Sequence, residues 1–355
     1  EVVPGRAPKF KNEVLVPAQP AAKRIGSALT QASGAANVQF FSRRSLFTFD
    51  INASATKYWS RPGRDELDFN GAAVFNFLYR ITPRLQFTTQ VNLAYLSQPD
   101  LSRINTPQQQ GGDYFTSNAK IDLTYRWSRR LTSVFSASLN SLYYQEKLQQ
   151  ANDYNETVFG TELRYLWSQR LTFLTEGRYS QIAYNGDGAR DASTAFLLVG
   201  AEARISTRFS GTLRLGGSMR TFEVSGSQSS TPYMEASIAY RAGPTSVINL
   251  NTRFGFEEPG NAGDERRVLR SGLNYSQAFS PRLSGVAGAN YLVETTTSGN
   301  TSLSTASYDA NARLEYRMSK KLSFNSSVSF TKASFGSAES DYYRFRYFLG
   351  LEYTF

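Results

Sequence analysis

The sequence predicts an all-β chain: a transmembrane antiparallel up-and-down β-barrel of about sixteen strands. Three observations carry this expectation. Long runs alternate apolar and polar residues with period two, a short turn motif recurs between the runs, and the apolar stripes end in aromatic rings at both edges.

Period-two alternation is the mark of a strand with one greasy and one wet face. It is plainest at the C-terminus. There Tyr343, Phe345, Tyr347, Leu349, Leu351, Tyr353 and Phe355 interleave with Tyr342, Arg344, Arg346, Phe348, Gly350, Glu352 and Thr354. The run from Ala119 to Trp127 and the run from Leu197 to Ile205 behave alike. Applied throughout, the pattern predicts strands near 45–58, 66–80, 84–97, 113–127, 131–146, 155–167, 171–184 and 192–206. It continues with 209–222, 231–242, 245–258, 265–278, 283–295, 304–318, 322–334 and 341–355.

The turn motif reads aromatic-Arg, a small polar turn, a base and then Leu. It stands as Tyr79-Arg-Ile-Thr-Pro-Arg-Leu85, Tyr125-Arg-Trp-Ser-Arg-Arg-Leu131, Tyr165-Leu-Trp-Ser-Gln-Arg-Leu171 and Tyr316-Arg-Met-Ser-Lys-Lys-Leu322. Variants occur at 203–209 and 279–283, and a looser copy at 240–244. A spacing of about forty residues suits one long hairpin with its two connections. Seven such tight turns are assigned to the periplasmic side. The longer connections, rich in Gly, Asn, Asp, Ser and Pro (97–113, 185–191 and 257–264 among them), are assigned outside. Both N- and C-termini are then periplasmic, and the last strand pairs with the strand near 45–58 to close the sheet.

Composition agrees. Of 355 residues, 40% are hydrophobic and 14% aromatic, with 21 Tyr and 25 Phe, yet the mean hydropathy is −0.41. No apolar run approaches the ~20 residues of a spanning helix, which leaves the closed barrel as the structure that satisfies its backbone in lipid. Strands of twelve or more residues also argue against a soluble sandwich, whose strands are usually ~5–6 residues long. Tyr79, Tyr125, Trp127, Tyr165, Trp167, Tyr240, Tyr275, Tyr316 and Tyr353 fall beside the tight turns or the C-terminus; Tyr95, Tyr143, Phe256, Tyr291, Phe330 and Tyr343 fall toward the other end. Two aromatic belts are expected of a barrel in a membrane.

The chain has no Cys and no His, which removes a disulfide framework, thiolate metal sites and the commonest general base. It starts at Glu1 rather than Met, with no charged-then-apolar leader, which fits the expectation of a mature protein whose signal peptide has been removed or left out. The net charge of +10 is spread along the chain, so nucleic acid is not an expected partner.

The final strand ending in Tyr353-Thr354-Phe355 resembles the signal read by the outer-membrane assembly machinery, with Phe355 as its terminal aromatic. The hairpins resemble the β-barrel porin families of Gram-negative bacteria over roughly residues 45–355. That resemblance implies a bacterial outer-membrane location, contact with outer-membrane lipids and lipopolysaccharide, and a porin-like role. The segment between Tyr144 and Tyr154 is too short for the inward-folded third loop of trimeric general porins.

With the apolar parity toward lipid, the other parity lines the lumen. It brings in Arg126, Arg164, Arg178, Arg204, Arg214, Arg220, Arg253, Arg270, Arg313, Arg317, Arg344 and Arg346, with Glu162, Glu176, Glu202, Glu315 and Glu352. Glu and Arg recur two residues apart and therefore share a face. Such a wall serves either as a structural salt ladder or as a selectivity surface; with Arg in modest excess, the second reading predicts a slight anion preference.

Residues 1–44 do not alternate and are read as a periplasmic N-terminal leader, weakly helical at 21–31. A lumen plug and a handle for a periplasmic partner are the sharper alternatives. Catalytic, cofactor-binding and metal sites are expected to be none, since no phosphate loop, ligand spacing or nucleophile elbow appears. Two functions compete: an outer-membrane pore for passive diffusion of small hydrophilic solutes, and a non-conducting scaffold or export-complex component with a periplasmic partner.

Overall fold

The structure is a computed structural model that describes residues 9–11, 14–16, 27–60, 67–97, 113–186, 190–257, 265–298, 301–334 and 342–354. Two short strands, β1 (Lys9–Lys11) and β2 (Val14–Val16), pair only with each other. The barrel strands follow: β3 (Leu29–Phe41), β4 (Ser45–Tyr58), β5 (Leu67–Arg80), β6 (Leu85–Leu96), β7 (Tyr114–Arg126), β8 (Leu131–Tyr144), β9 (Tyr154–Ser168), β10 (Leu171–Tyr184) and β11 (Ala192–Arg204). Then come β12 (Phe209–Phe222), β13 (Gln228–Gly243), β14 (Ser246–Phe256), β15 (Glu265–Ala278), β16 (Leu283–Ser298), β17 (Thr301–Arg317), β18 (Leu322–Ser334) and β19 (Tyr342–Tyr353). Each is antiparallel to the next, in chain order.

The distribution of side chains is inverted relative to a soluble domain. Leu197, Val199, Phe345 and Leu351 lie 59–70% exposed on the outer face. Their strand neighbours of opposite parity, among them Glu202, Arg214 and Arg346, point into the barrel. A continuous apolar exterior of this extent is not left bare in water.

The tight turns follow from their chemistry. In all but the turn from β13 to β14, a Ser or Thr hydroxyl accepts the backbone N–H two residues on, which belongs to a base. Ser42 does this for Arg44, Thr82 for Arg84, Ser128 for Arg130, Ser206 for Arg208, Ser280 for Arg282 and Ser319 for Lys321, at 3.2–3.3 Å. The same hydroxyl usually accepts the next N–H too, as Ser128 does from Leu131 at 3.1 Å. This local bonding is why Ser and Thr recur at that place.

The expected all-β barrel of about sixteen antiparallel strands is found, with seventeen strands among the described residues. A first correction is that residues 29–41, read as part of the leader, form β3. The weakly helical reading of 21–31 fails at Leu29–Gln31, which are extended, while 21–26 lie outside the described residues. β3 escaped notice because its outward residues Thr30, Ala32, Gly34 and Ala36 are too small to give an apolar alternation, whereas the ladder to β4 overrides weak local propensity.

The second correction concerns the seam. The strand ending the chain does not pair with β4, whose two neighbours are β3 and β5. The sheet order instead sets β19 beside β3. With an odd count, these two run in the same direction. Every other neighbouring pair is laddered along its length, whereas β19 and β3 touch only locally, so the barrel is not zipped shut there.

The third concerns the ends. Leu29 lies opposite Tyr58 at the long-connection end, while Tyr353 lies opposite Leu322 at the tight-turn end. The first and last barrel residues are thus at opposite mouths, while the N-terminal residues 1–8, expected in the periplasm, lie outside the described residues. Phe355, proposed as the assembly signal, lies outside the described residues.

The register Val38↔Phe49 makes β3 testable. Directly opposed residues in an antiparallel pair have Cα atoms ~4.5–5.5 Å apart, within the Cα separation that a disulfide spans. The double variant Val38→Cys, Phe49→Cys is expected to cross-link under mild oxidation, giving a compact species on a denaturing gel. A leader outside the sheet would give none.

Candidate transport lumen

The inner wall is asymmetric. On β9–β13 it carries one connected set of charges. Arg214 on β12 reaches back over β11 to Glu162 on β9 at 2.9 Å and Glu176 on β10 at 3.3 Å, and lies 3.9 Å from Glu235 on its other side. Arg178 binds Glu176 at 2.7 Å and Glu235 at 3.5 Å. Arg164 pairs with Glu162 and reaches Glu202 at 3.2 Å. Three guanidinium groups thus serve four carboxylates.

The reach of Arg214 depends on a glycine. Gly200 stands directly opposite Arg214 on β11, facing inward. A Cβ there would lie 2.2 Å from the Leu213 carbonyl oxygen and 3.1 Å from Arg214 Cα. Gly216 does the same one row up, where a Cβ would lie 1.9 Å from the Leu197 oxygen and 2.8 Å from Leu198 Cδ2. Gly in a strand interior marks such a close approach. Leu198, with 0% exposure, and Leu174, with 3%, fill the space beside them.

Aromatic rings back the charges. Tyr233 is 1% exposed and donates to Glu235, while its hydroxyl accepts from Arg178 at 3.3 Å. Arg178 also lies 5.6 Å from the Phe196 ring centroid, and Arg253 lies 5.7 Å from that of Tyr233, both within cation–π range.

Toward the long-connection end a second group forms. Buried Arg220 donates to Thr194 at 3.1 Å and to the Glu257 carbonyl at 2.5 Å. Arg270 binds the Glu257 carboxylate, and Arg266 holds Glu294 at 2.5 Å with both side chains 4% exposed. Across the barrel Arg313 contacts Asn325 at 3.0 Å, Glu352 at 3.6 Å and Glu315 at 4.0 Å. Arg346 donates to the Tyr58 hydroxyl at 3.4 Å, bridging from β19 past β3 to β4. Arg344 faces the lumen opposite Thr331.

Arg126, Arg204 and Arg317 are set apart from these clusters, exposed at the tight-turn mouth. The wall of β18, with Ser323, Asn325, Ser327, Ser329 and Thr331, is uncharged. Between the charged wall and β6–β8 lies a cavity of about 830 Å³, lined by Lys120, Asp122 and Arg126 as well as Glu162, Arg178 and Arg214.

The aromatic residues nearest the tight turns face outward. Tyr79, Trp127, Tyr165, Trp167, Tyr240, Tyr275, Tyr316 and Tyr353 are all more than a third exposed. Tyr125 packs edge-on against Trp127 with centroids 4.6 Å apart, and Trp167 against Phe173 at 6.2 Å.

Sequence reasoning found most of the arginines by parity but missed Tyr233, Glu257 and the Arg266–Glu294 pair. Parity with Arg270 places Arg266 on the inner face; nothing in the sequence marks Glu257, which sits past the end of its strand.

No protein-family model matches the chain, and no curated protein matches it. Among solved structures, it is similar to the siderophore receptor PirA from Pseudomonas aeruginosa at 15% identity, covering 93% of this chain and 70% of that one with a TM-score of 0.43. It is similar to the FrpB iron transporter from Neisseria meningitidis at 11% identity, 87% and 62% coverage and a TM-score of 0.45. It is also similar to the copper transporter OprC at 12% identity, 93% and 72% coverage and a TM-score of 0.47. The chain therefore spans less than two thirds of the FrpB structure.

Proposed function

We propose that the protein is a pore of the bacterial outer membrane that lets small hydrophilic solutes diffuse passively, with a slight preference for anions. The observation that carries this reading is the inverted wall: apolar and aromatic side chains outside, Arg, Glu, Asn and Ser inside, around a polar cavity. No helix among the described residues is long and apolar enough to cross a membrane; in this reading the strands cross it, their backbone groups satisfied by the ladders. Lipid and lipopolysaccharide cover the apolar band, and the outer-membrane assembly machinery is the partner that inserts it.

The anion preference follows from how the charges are matched. Within the lumen most carboxylates hold an Arg, so the field there is nearly balanced. The excess positive charge of the wall stands at the tight-turn mouth and biases what enters. We assign the wall no catalytic role.

Liposome swelling tests the reading. Proteoliposomes in isotonic solutions of neutral sugars are expected to swell, fast for monosaccharides and progressively slower for larger oligosaccharides. Vesicles that stay as tight as protein-free controls would favour the scaffold.

A further inference from the structure

The tight-turn mouth carries a repeated unit that the pore reading does not require. The basic residue of a turn stands directly opposite an arginine at the end of the neighbouring hairpin. Extending the ladder registers by one residue pairs Arg44 with Arg80, Arg84 with Arg126, Arg170 with Arg204, Arg208 with Arg241, and Arg282 with Arg317. A backbone hydrogen bond locks each pair: the N–H of the second arginine donates to the carbonyl of the first, at 2.7–2.8 Å in all five.

Like charges directly opposed across a ladder are destabilising. The fold nevertheless builds the opposition five times around one rim. All ten side chains are exposed, and none is ion-paired among the described residues. They share the inward parity of the lumen residues, and Arg126 lines the cavity itself. The turn tips add Arg43, Arg129 and Lys320 to the same rim.

From this geometry we infer that the tight-turn mouth is a binding collar for soluble multivalent anions, solutes bearing two or more phosphate or carboxylate groups. Two arginines opposed on one face bring two guanidinium groups to the same place, and each can hold a phosphate or carboxylate bidentately. The inward parity favours a solute in the mouth over a lipid headgroup outside it. The inference deepens the anion preference proposed above and rests on the inner face being the lumen, but binding does not require conduction.

The test is binding to the purified full chain in neutral detergent, by calorimetry, with inorganic pyrophosphate, monovalent phosphate and phosphatidylglycerol mixed micelles as three separate probes. Pyrophosphate is expected to bind at least tenfold more tightly than phosphate, with affinity falling as salt rises. The variants Arg84→Gln, Arg126→Gln and Arg208→Gln, Arg241→Gln, each a double, are expected to weaken pyrophosphate several-fold. Neither should lower the unfolding midpoint, because each removes a like-charge opposition. Absence of pyrophosphate binding, binding of phosphatidylglycerol alone, or unchanged affinity in both variants would overturn the collar. If binding holds and vesicles do not swell, the pore reading fails and the collar stands.

Discussion

Replacing Arg214 by alanine is expected to turn the lumen toward cations. Arg214 is shared by three carboxylates on three different strands: Glu162, Glu176 and Glu235. Its loss leaves four carboxylates on that wall against Arg164 and Arg178. An added unit of unbalanced negative charge interacts with a passing ion by ~1 kcal/mol at about 4 Å even at the dielectric of water. That is about a fivefold change in local concentration, so the cation-to-anion permeability ratio should rise several-fold. Reversal potentials in a salt gradient read it directly. The control is Arg313→Ala, whose partners Glu315 and Glu352 are more exposed to water, at 37% and 57%, than those of Arg214, and a smaller shift is expected there.

A second large effect is expected at Gly216. A valine there places its Cβ against the Leu197 carbonyl oxygen, a backbone atom that cannot step aside. It also collides with Leu198, which is fully buried and has nowhere to go. Overpacking a tight site costs ~1–3 kcal/mol, and a backbone clash more. Gly216→Val should therefore lower the urea midpoint markedly, or prevent formation of the heat-modifiable folded band on gels. Gly217, one residue on, faces the other way, and a Cβ added there would meet nothing within 4 Å. Gly217→Val is expected to fold normally, which separates the steric effect from loss of glycine itself.

These two cases show where sequence reading reaches and where it stops. Side-chain parity is a local property of a strand, so the alternation in β9, β10 and β12 assigned Glu162, Arg164, Glu176, Arg178 and Arg214 to the inner face. The repeated turn was equally legible, because a Ser hydroxyl binding the next N–H groups is a contact within four residues. Which charge meets which is another matter. Arg214 and Glu162 are separated by two strands, and their meeting depends on Gly200 leaving room above β11. That juxtaposition is set by register and is not written in either residue's neighbourhood.

The same limit explains β3. Its outward face opens with Thr30, Ala32, Gly34 and Ala36 and becomes clearly apolar only at Val38 and Phe40. Period two is invisible when both faces are small. Yet the turn that joins β3 to β4, Phe41-Ser42-Arg43-Arg44-Ser45-Leu46, is one more copy of the repeated motif, with the same hydroxyl contacts to the N–H groups of Arg44 and Ser45 at 3.3 and 3.0 Å. Reading the turn rather than the strand would have revealed it. The odd strand count then follows, along with the parallel seam where Phe40 and Phe41 on β3 and Phe345 and Leu351 on β19 are 62–70% exposed.

If this wall encloses a conducting path biased toward anions, single-channel recording of the full chain in a planar bilayer under a salt gradient tests it most directly. Discrete conductance steps are expected, with a reversal potential of the sign that favours anions, moving toward cations in Arg214→Ala. Silent bilayers, or steps with a cation-selective reversal potential in the unaltered protein, would contradict it.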